Sequence, residues 1–143
     1  EAEDPDLHLF DDAVVNFHSA IYYSSTLDTP ANKAFLAALE KTHGEGTLPS
    51  TFTLGAYDAM TLIEKAINQM DGDKLDADAF MKSLEGLTYE SPRGQVTINA
   101  KRQPVEDYVI RQVQNTDAGL RNVVIDTVPQ VDPETFIATG GKE

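Results

Sequence analysis

The hydrophobic period of the chain changes at Gly86, and this change limits the folds that the sequence can adopt. Before Gly86, apolar residues recur every three or four positions, which is typical of helices that bury one face. After it, Val96 and Ile98 alternate with polar neighbours, and the runs 105–114 and 120–128 have the composition of strands. Short polar turns join these late runs, so we expect antiparallel neighbours. The sequence therefore predicts an α/β protein with mostly antiparallel strands.

Three helices are predicted between residues 30 and 86. The first begins behind the N-cap Thr29, the second at Ser50 or Thr51, and a short third one behind Asp76. The second helix is expected to bury an apolar stripe at helical spacing, made of Ala56, Ala59, Met60, Ile63, Ala66, Ile67 and Met70.

The two ends of the chain show less pattern than its middle. Residues 1–12 are acidic and contain a proline, which predicts a loop or a frayed start. Residues 13–23 are rich in β-branched and aromatic side chains, which predicts a strand. Residues 133–143 are predicted to be a tail, so the folded part is expected to be a single segment over 13–132.

The charge balance excludes several classes of partner. The chain has 24 Asp and Glu against 11 Lys and Arg, a formal net charge of −13. Nucleic acids and anionic membrane surfaces both require basic patches, so we expect no nucleic-acid partner. No apolar run approaches the roughly 20 residues of a membrane span, so we expect no direct membrane insertion. The chain has no cysteine, which excludes disulfides and thiolate chemistry.

No group of residues has the pattern that covalent chemistry requires. The three histidines are not spaced to share a helical face with a carboxylate, and no nucleophile elbow surrounds a serine. The acidic run 71–78 is superficially similar to a calcium loop, but Asp76 and Lys82 stand where that loop needs Gly and Glu. We therefore predict a protein that is not an enzyme, with no catalytic residue, no metal site and no cofactor.

Two neighbouring residues of the second helix are candidate ligand contacts. Tyr57 lies about 120° from the centre of the predicted stripe, where an amphipathic ring can either line a cleft or cover the edge of the core. Asp58 points roughly opposite the stripe near the helix start, where a carboxylate is favoured by the helix dipole. Its two interpretations are a ligand contact and a solvated acid.

Three motifs in fixed order carry a family resemblance: residues 28–35 (DTPANKAF), 55–60 (GAYDAM) and 89–99 (YESPRGQVTIN). Together they resemble the C-terminal part of the periplasmic solute-binding proteins of the leucine/isoleucine/valine-binding type, which have the type I fold of ABC importers. The resemblance runs over residues 13–132. It implies an α/β fold that is incomplete without the upstream lobes.

The resemblance also implies a function and a site. In this family the chain crosses three times between two lobes, and a small amino-acid-like or organic-acid ligand is captured between them by hinge closure. Residues 21–25 look like the second crossing and 122–128 like the last. The family's ligand-contacting tyrosine falls on Tyr57, while Tyr23 and Ser24 would lie at the hinge within reach of the cleft. The implied location is the periplasm, and the implied partners are the small-molecule ligand and an ABC permease.

Other functions remain open at this point. A sensory ligand-binding domain of the same fold, which regulates a signalling or regulatory partner, is the main alternative to an importer subunit. In the family this part is not a whole protein. We therefore expect one more partner, the missing N-terminal part of the same protein, possibly as a separate chain.

Overall fold

The computed structural model describes residues 3–70 and 76–138. Its secondary structure follows the predicted order of a strand, three helices and a group of late strands, and adds one short strand and one short helix. The elements are β1 (His18–Ile21), α1 (Pro30–His43), α2 (Thr51–Gln69), α3 (Ala77–Ser83), β2 (Thr88–Ser91), β3 (Gly94–Ile98), β4 (Pro104–Thr116), β5 (Gly119–Val131) and α4 (Pro133–Ala138).

The capping residues predicted from the sequence begin the three main helices. In each case the cap side chain accepts a hydrogen bond from a backbone amide of the first turn and so satisfies a donor that the helix leaves free. The pairs are Thr29 with Asn32 at 3.1 Å, Ser50 with Thr53 at 3.3 Å and Asp76 with Ala79 at 3.0 Å. The first helix ends at Gly44, whose φ of +109° lies in the left-handed region that favours glycine.

β4 is the central strand of the sheet, because β1, β3 and β5 all pair with it and every pairing is antiparallel. Residues 104–105 of β4 pair with β3, whereas residues 109–112 pair with β1. β5 pairs with β4 from Glu106 to the turn at the far end. β4 therefore changes its partner from β3 to β1 between Val105 and Val109.

The turn predicted over residues 91–94 is confirmed as the loop of a hairpin. Ser91 pairs with Gly94, so Pro92 and Arg93 form a two-residue loop, and the φ of Gly94 is +108°. The strand that leads into this loop, β2, was not predicted. At four residues it is too short to show a clear alternation.

Residues 4–9, expected to be a loop or a frayed start, form a 3-10 helix. Leu7 is fully buried in this helix, and Asp4 is nearly so. The expectation was wrong because the segment gains its partners from β5, more than a hundred residues away, and a local pattern does not carry such contacts. At the other end of the chain, part of the predicted tail forms α4.

The first strand is shorter than predicted. Residues 12–14 form a single 3-10 turn, and pairing with β4 begins only at His18. Of residues 13–23 only Tyr23 is buried, so the β-branched and aromatic composition located neither the start of the ladder nor a buried segment.

α2 buries a different face from the one predicted. Of the predicted stripe only Ala66 is buried, whereas Met60 and Ile67 are 65% and 44% exposed; the other buried residues of the helix are Thr51, Leu54 and Asp58. The helix has apolar residues on two faces, and its inner face packs on two small clusters. These clusters are Tyr23, Phe35 and Leu54 with Tyr22 and Leu27, and Leu87, Tyr89, Val96 and Ile98 with Leu62.

Candidate functional site: a hinge between two buried polar regions

The strands β1, β4 and β5 run side by side, with β4 between the other two. β3 and the helices lie towards the start of β4, and the β4–β5 turn at residues 116–119 lies at the opposite end. Residues 22–29 lead out of β1 into α1. Three antiparallel strands thus run between two ends of the described structure, and we call the place where β4 changes partner the candidate hinge.

The first buried polar region of this hinge centres on Tyr23 and Asn32. The Tyr23 hydroxyl donates to Asn32 Oδ1 at 2.9 Å, and Asn32 Nδ2 donates to the carbonyls of Ser25 and Leu27, both at 2.9 Å. Tyr23 is almost fully buried, and this burial, with the nearby Asp4 carboxylate, raises its pKa well above the ordinary value. The hydroxyl therefore remains a protonated donor at any physiological pH.

Ser24 extends the same region towards β5. Its Oγ donates to the Asn122 carbonyl at 2.5 Å. Asp4 Oδ1 accepts from the Asn122 backbone amide at 2.9 Å and from Asn122 Nδ2 at 2.8 Å, while Asp4 Oδ2 accepts from Ser25 Oγ. These bonds tie the N-terminal 3-10 helix, residues 22–29 and β5 together. We call Asp4, Tyr23, Ser24, Asn32 and Asn122 the paired network.

Arg111 on β4 lies beside this network and is 1% exposed. Its guanidinium donates to Ser19 Oγ at 3.1 Å and to the Tyr23 carbonyl at 3.0 Å, and it lies 3.8 Å from Glu3. Glu3 in turn accepts from the Thr51 hydroxyl at 2.9 Å, at the first residue of α2. The arginine therefore links two hinge strands to the start of a helix.

The second buried polar region consists of Asp58, Arg93 and Glu106, which we call the charged cluster. Arg93 Nε lies 3.0 Å from Asp58 Oδ2, and Arg93 Nη1 pairs with Glu106 Oε2. Ser91 Oγ donates to Asp58 Oδ2 at 2.9 Å. All three charged side chains are nearly buried, so one guanidinium stands between two carboxylates. Within the described part of the chain, no donor reaches the buried Asp58 Oδ1.

Aromatic rings connect the charged cluster to the hinge strands. The Arg93 guanidinium carbon lies 4.8 Å from the centre of the Tyr22 ring, within the range of a cation–π contact. Tyr22 in turn meets Tyr108 of β4 edge to face, with centroids 6.5 Å apart. Tyr22 follows β1 directly, so the arginine touches both the second crossing and β4.

Burial shifts the carboxyl groups of this cluster. It raises the pKa of Glu106 to about 7, against the opposing effect of Arg93 and with a further increase from Asp58 and Asp107. Burial also raises the pKa of Asp58, although Ser91 and Arg93 act in the other direction. The cluster therefore takes up or releases a proton near neutral pH.

The four predicted site residues fall in three different places. Tyr23 and Ser24 lie together in the paired network, and their polar atoms are bound within the chain. Asp58 is buried in the charged cluster, so it is not a solvated acid, and its contact with a ligand stays a prediction. Tyr57 is 46% exposed, and its ring centroid lies 4.9 Å from that of Phe35.

Three functional candidates were missed from the sequence. Arg111 shares a face of β4 with Val109 and Val113, so period-two alternation would have pointed it inwards. Glu106 is also buried, but the pairing of β4 with β5 is irregular between Glu106 and Tyr108, so period-two alternation does not predict the burial of Glu106. Arg93 lies in a turn, and nothing in the local sequence indicates that its side chain is buried.

An open crevice of about 600 Å³ lies between the two ends of the structure. It is bounded by the N-terminal 3-10 helix, by residues 46–48 between α1 and α2, and by residues 118–121 at the β4–β5 turn. Over residues 3–70 and 76–138, no helix combines the length and apolar character needed to cross a bilayer.

Comparison with known proteins identifies the class of this fold. The family model of the periplasmic binding proteins matches residues 2–119, so the chain belongs to that family. The resemblance to the type I periplasmic-binding fold and the α/β prediction are both confirmed.

Several similar proteins are named for the binding of solutes. The chain is 29% identical over 118 residues to "Leu/Ile/Val-binding protein homolog 6" of Brucella abortus, with 82% of this chain and 30% of that protein covered. Two solute-binding proteins of ABC transporters from Rhodopseudomonas palustris, strains BisB5 and HaA2, superpose with TM-scores of 0.82 and 0.81 at 30% and 32% identity. Their structures contain 3,4-dihydroxybenzoic acid and p-hydroxybenzoic acid, respectively. Each superposition covers 90% of this chain and 35% of the other, so the chain spans about a third of these relatives.

Proposed function

We propose that the chain is part of the periplasmic solute-binding subunit of an ABC importer, which holds a small ligand between two lobes and closes about a hinge. The observation that carries this proposal is that β4 exchanges β3 for β1 as its partner while it stays paired with β5. Three strands that pass side by side between two lobes can bend together and so act as a hinge. The function requires no covalent step, and the subunit delivers its ligand by docking on a membrane permease. The reported relatives favour this function over a sensory domain, because they are named for transport or amino-acid binding.

The proposed ligand is a small carboxylic acid, and a hydroxybenzoate is the first candidate. Two relatives of about 30% identity contain such acids, whereas another is named for aliphatic amino acids. On this chain, the rings of Tyr57 and Phe52 are 46% and 86% exposed on α2 and offer flat surfaces to an aromatic ligand. We propose Tyr57 as a ligand contact. Tyr23 and Ser24 would instead shape the hinge, and Asp58 would act through Arg93.

The test is isothermal titration calorimetry on the longer protein that contains this chain, with 4-hydroxybenzoate, 3,4-dihydroxybenzoate and leucine as probes. Saturable binding of one probe is expected. Tyr57→Ala is expected to weaken it by about 1–3 kcal/mol, the usual range for a residue that anchors a ligand in its pocket. Tyr57→Phe is the matched control, because it keeps the ring. If the affinity is unchanged in Tyr57→Ala, Tyr57 serves only to pack against Phe35. If no probe binds, the proposed ligand class is wrong.

We also propose that the upstream part of the same protein covers the outer face of α2. Met60, Ile63 and Ile67 on this face are exposed, and soluble proteins rarely leave a contiguous apolar patch uncovered. The chain spans about a third of its relatives, so a protein of their full length would have enough additional polypeptide to cover this face.

This proposal predicts opposite outcomes in two samples. The double change Met60→Ser and Ile63→Ser should alter the unfolding free energy of the 143-residue chain by less than about 0.5 kcal/mol, because both sites are at its surface. In the longer protein the same change should cost about 2–5 kcal/mol, because both side chains would then be buried. Glu64→Ser, an exposed change on the same helix, should be neutral in both samples. Equal losses in the two samples would contradict the proposal.

A further inference from the structure

The charged cluster stands at the point where β4 changes partner. Asp58 comes from α2, Arg93 from the loop between β2 and β3, and Glu106 from β4. Glu106 directly follows the two residues of β4 that pair with β3, and the ladder to β5 is irregular between Glu106 and Tyr108. A bulge of this kind weakens the ladder locally. The cluster therefore connects one of the two irregular points of the β4–β5 ladder to α2 and to the β2–β3 loop.

The same cluster reaches all three crossing strands. Arg93 lies over Tyr22, which follows β1, and Tyr22 meets Tyr108 on β4. Next to Glu106, Asp107 Oδ1 accepts from the backbone amide and from the side-chain amide of Gln130 on β5, both at 2.9 Å. A change in the position of Arg93 would therefore alter, directly or through neighbouring residues, the contacts of β1, β4 and β5.

The charges of the cluster do not balance. Two buried carboxylates, Asp58 and Glu106, share one guanidinium, and Asp58 Oδ1 has no donor among the described residues. When both acids are ionised, the buried group carries a net charge of −1, which is costly in a medium of low dielectric constant. A single proton makes the cluster neutral. The number of protons bound to the cluster therefore depends on whether the cluster is buried or exposed to water.

We propose that Arg93 is a positioning residue for lobe closure, at the centre of a proton-linked clamp with Asp58 and Glu106. Proton uptake by the clamp favours the arrangement in which the hinge strands are held against α2, and proton release favours a looser hinge. The inference rests on the proposed function, because a hinge matters only if lobes move about it.

The direction follows from linkage between proton binding and burial. Burial raises the pKa of Glu106 from 4.5 to about 7, so the clamped state binds a proton more tightly than a state in which Glu106 meets water. Acidification from pH 8 to pH 5.5 therefore shifts the hinge towards the clamped state. The other groups that face Glu106 are Asp58 on α2, Tyr89 on β2, Arg93 on the β2–β3 loop, and Asp107 and Tyr108 on β4.

The experiment measures the hinge directly and without a ligand. The chain has no cysteine, so Glu64→Cys on α2 and Asp117→Cys at the β4–β5 turn place two spin labels at unique, exposed sites. Pulsed electron paramagnetic resonance then gives the distance distribution at pH 8 and pH 5.5 in the longer protein that contains this chain, with any cysteine outside the chain replaced by serine. The ratio of the clamped to the looser population is expected to rise at least about tenfold on acidification.

Three variants make the test specific. Glu106→Gln should give the clamped distribution at both pH values, because the buried charge is gone. Glu90→Gln makes the same chemical change at an exposed site of β2 and should behave like the parent chain. Arg93→Lys keeps the charge but loses the flat guanidinium over Tyr22, and should broaden the distribution at both pH values.

A distribution that is the same at pH 8 and pH 5.5, or a pH response that survives in Glu106→Gln, would overturn the inference. A carbon-13 titration of the side-chain carboxyls is a second measurement, which remains decisive if a labelled variant folds poorly. A Glu106 carboxyl that titrates near 4.5 would also overturn it. Neither measurement uses a ligand, so failure of the proposed ligand class and failure of the clamp are seen separately.

Discussion

The two buried polar regions of this hinge differ in how completely their groups are matched. In the paired network, the Tyr23 hydroxyl, both ends of the Asn32 amide and the Asp4 carboxylate have hydrogen-bond partners within the chain. In the charged cluster, one guanidinium serves two carboxylates, and Asp58 Oδ1 is left without a donor in the part of the chain that the structure describes.

The difference shows how burial can serve either rigidity or response. A polar group that keeps its hydrogen bonds on burial costs little, and it fixes one arrangement of the strands around it. A buried charge that is only partly compensated stays sensitive to a proton. The paired network is therefore expected to fix one arrangement of the strands, whereas the charged cluster is expected to respond to pH.

The largest expected effect comes from removing the shared cation. Arg93→Met leaves two buried carboxylates without a positively charged partner, which should cost about 3–5 kcal/mol of unfolding free energy at pH 8. The loss should be smaller at pH 5.5, where Glu106 takes up a proton. Urea unfolding at both pH values measures it. A loss of the same size at both values would mean that Arg93 acts by packing alone.

The matching change in the paired network is Asn32→Ala. It removes the acceptor of the buried Tyr23 hydroxyl and the donor to two half-buried carbonyls, and should cost about 2–4 kcal/mol. Because Asn32 carries no charge, the loss should be equal at pH 5.5 and pH 8. If the same unfolding measurements gave a strongly pH-dependent loss, the paired network would also respond to pH, and the two regions would not differ in this respect.

Glu106→Gln is expected to stabilise the protein at high pH. The pKa of Glu106 is about 7 when folded and 4.5 when exposed, so the folded state binds more protons and the parent chain loses stability as the pH rises from about 4.5 to 7. The neutral glutamine avoids this loss, so the variant should gain about 1–2 kcal/mol over the parent at pH 8 and little at pH 4.5. Thermal unfolding across this range tests it, with Glu90→Gln as the exposed control. A variant that is less stable than the parent at pH 8 would show that the ionised pair is favourable as it stands.

The smallest change is Tyr23→Phe. It leaves Asn32 Oδ1 buried without its donor and should cost about 1 kcal/mol, with the ring and its packing kept. Urea unfolding at pH 5.5 and pH 8 should give the same value. A loss below the experimental error would mean that Asn32 finds another donor when the hydroxyl is gone.

Much of the fold could be predicted because it depends on local chemistry. Thr29, Ser50 and Asp76 are caps whose side chains bond within their own first turn, so the helix starts were predicted correctly. The turn at residues 91–94 and the antiparallel late strands were predicted for the same reason. The inner face of α2 was not, because two of its faces are apolar and only the neighbouring elements choose between them.

The candidate site was predicted less well than the fold. Tyr23 and Ser24 lie just after β1 and are buried with their polar atoms bonded within the chain, and their place at a crossing between lobes stays a prediction. Asp58 was expected at the surface or in the cleft, but it is buried with Arg93 and Glu106, which lie 35 and 48 residues further along the chain. The contact of Tyr57 with a ligand stays a prediction.

The sequence by itself determined the caps, the turns, the periods of the helices and strands, and the motifs that mark the family. These depend on interactions within a few residues, which a local pattern records. Tertiary structure alone decided which face of α2 is buried, where the N-terminal residues dock, and which charges meet at the hinge. Those outcomes depend on contacts between distant segments, where burial removes water from a charge and thereby sets both its partner and its pKa.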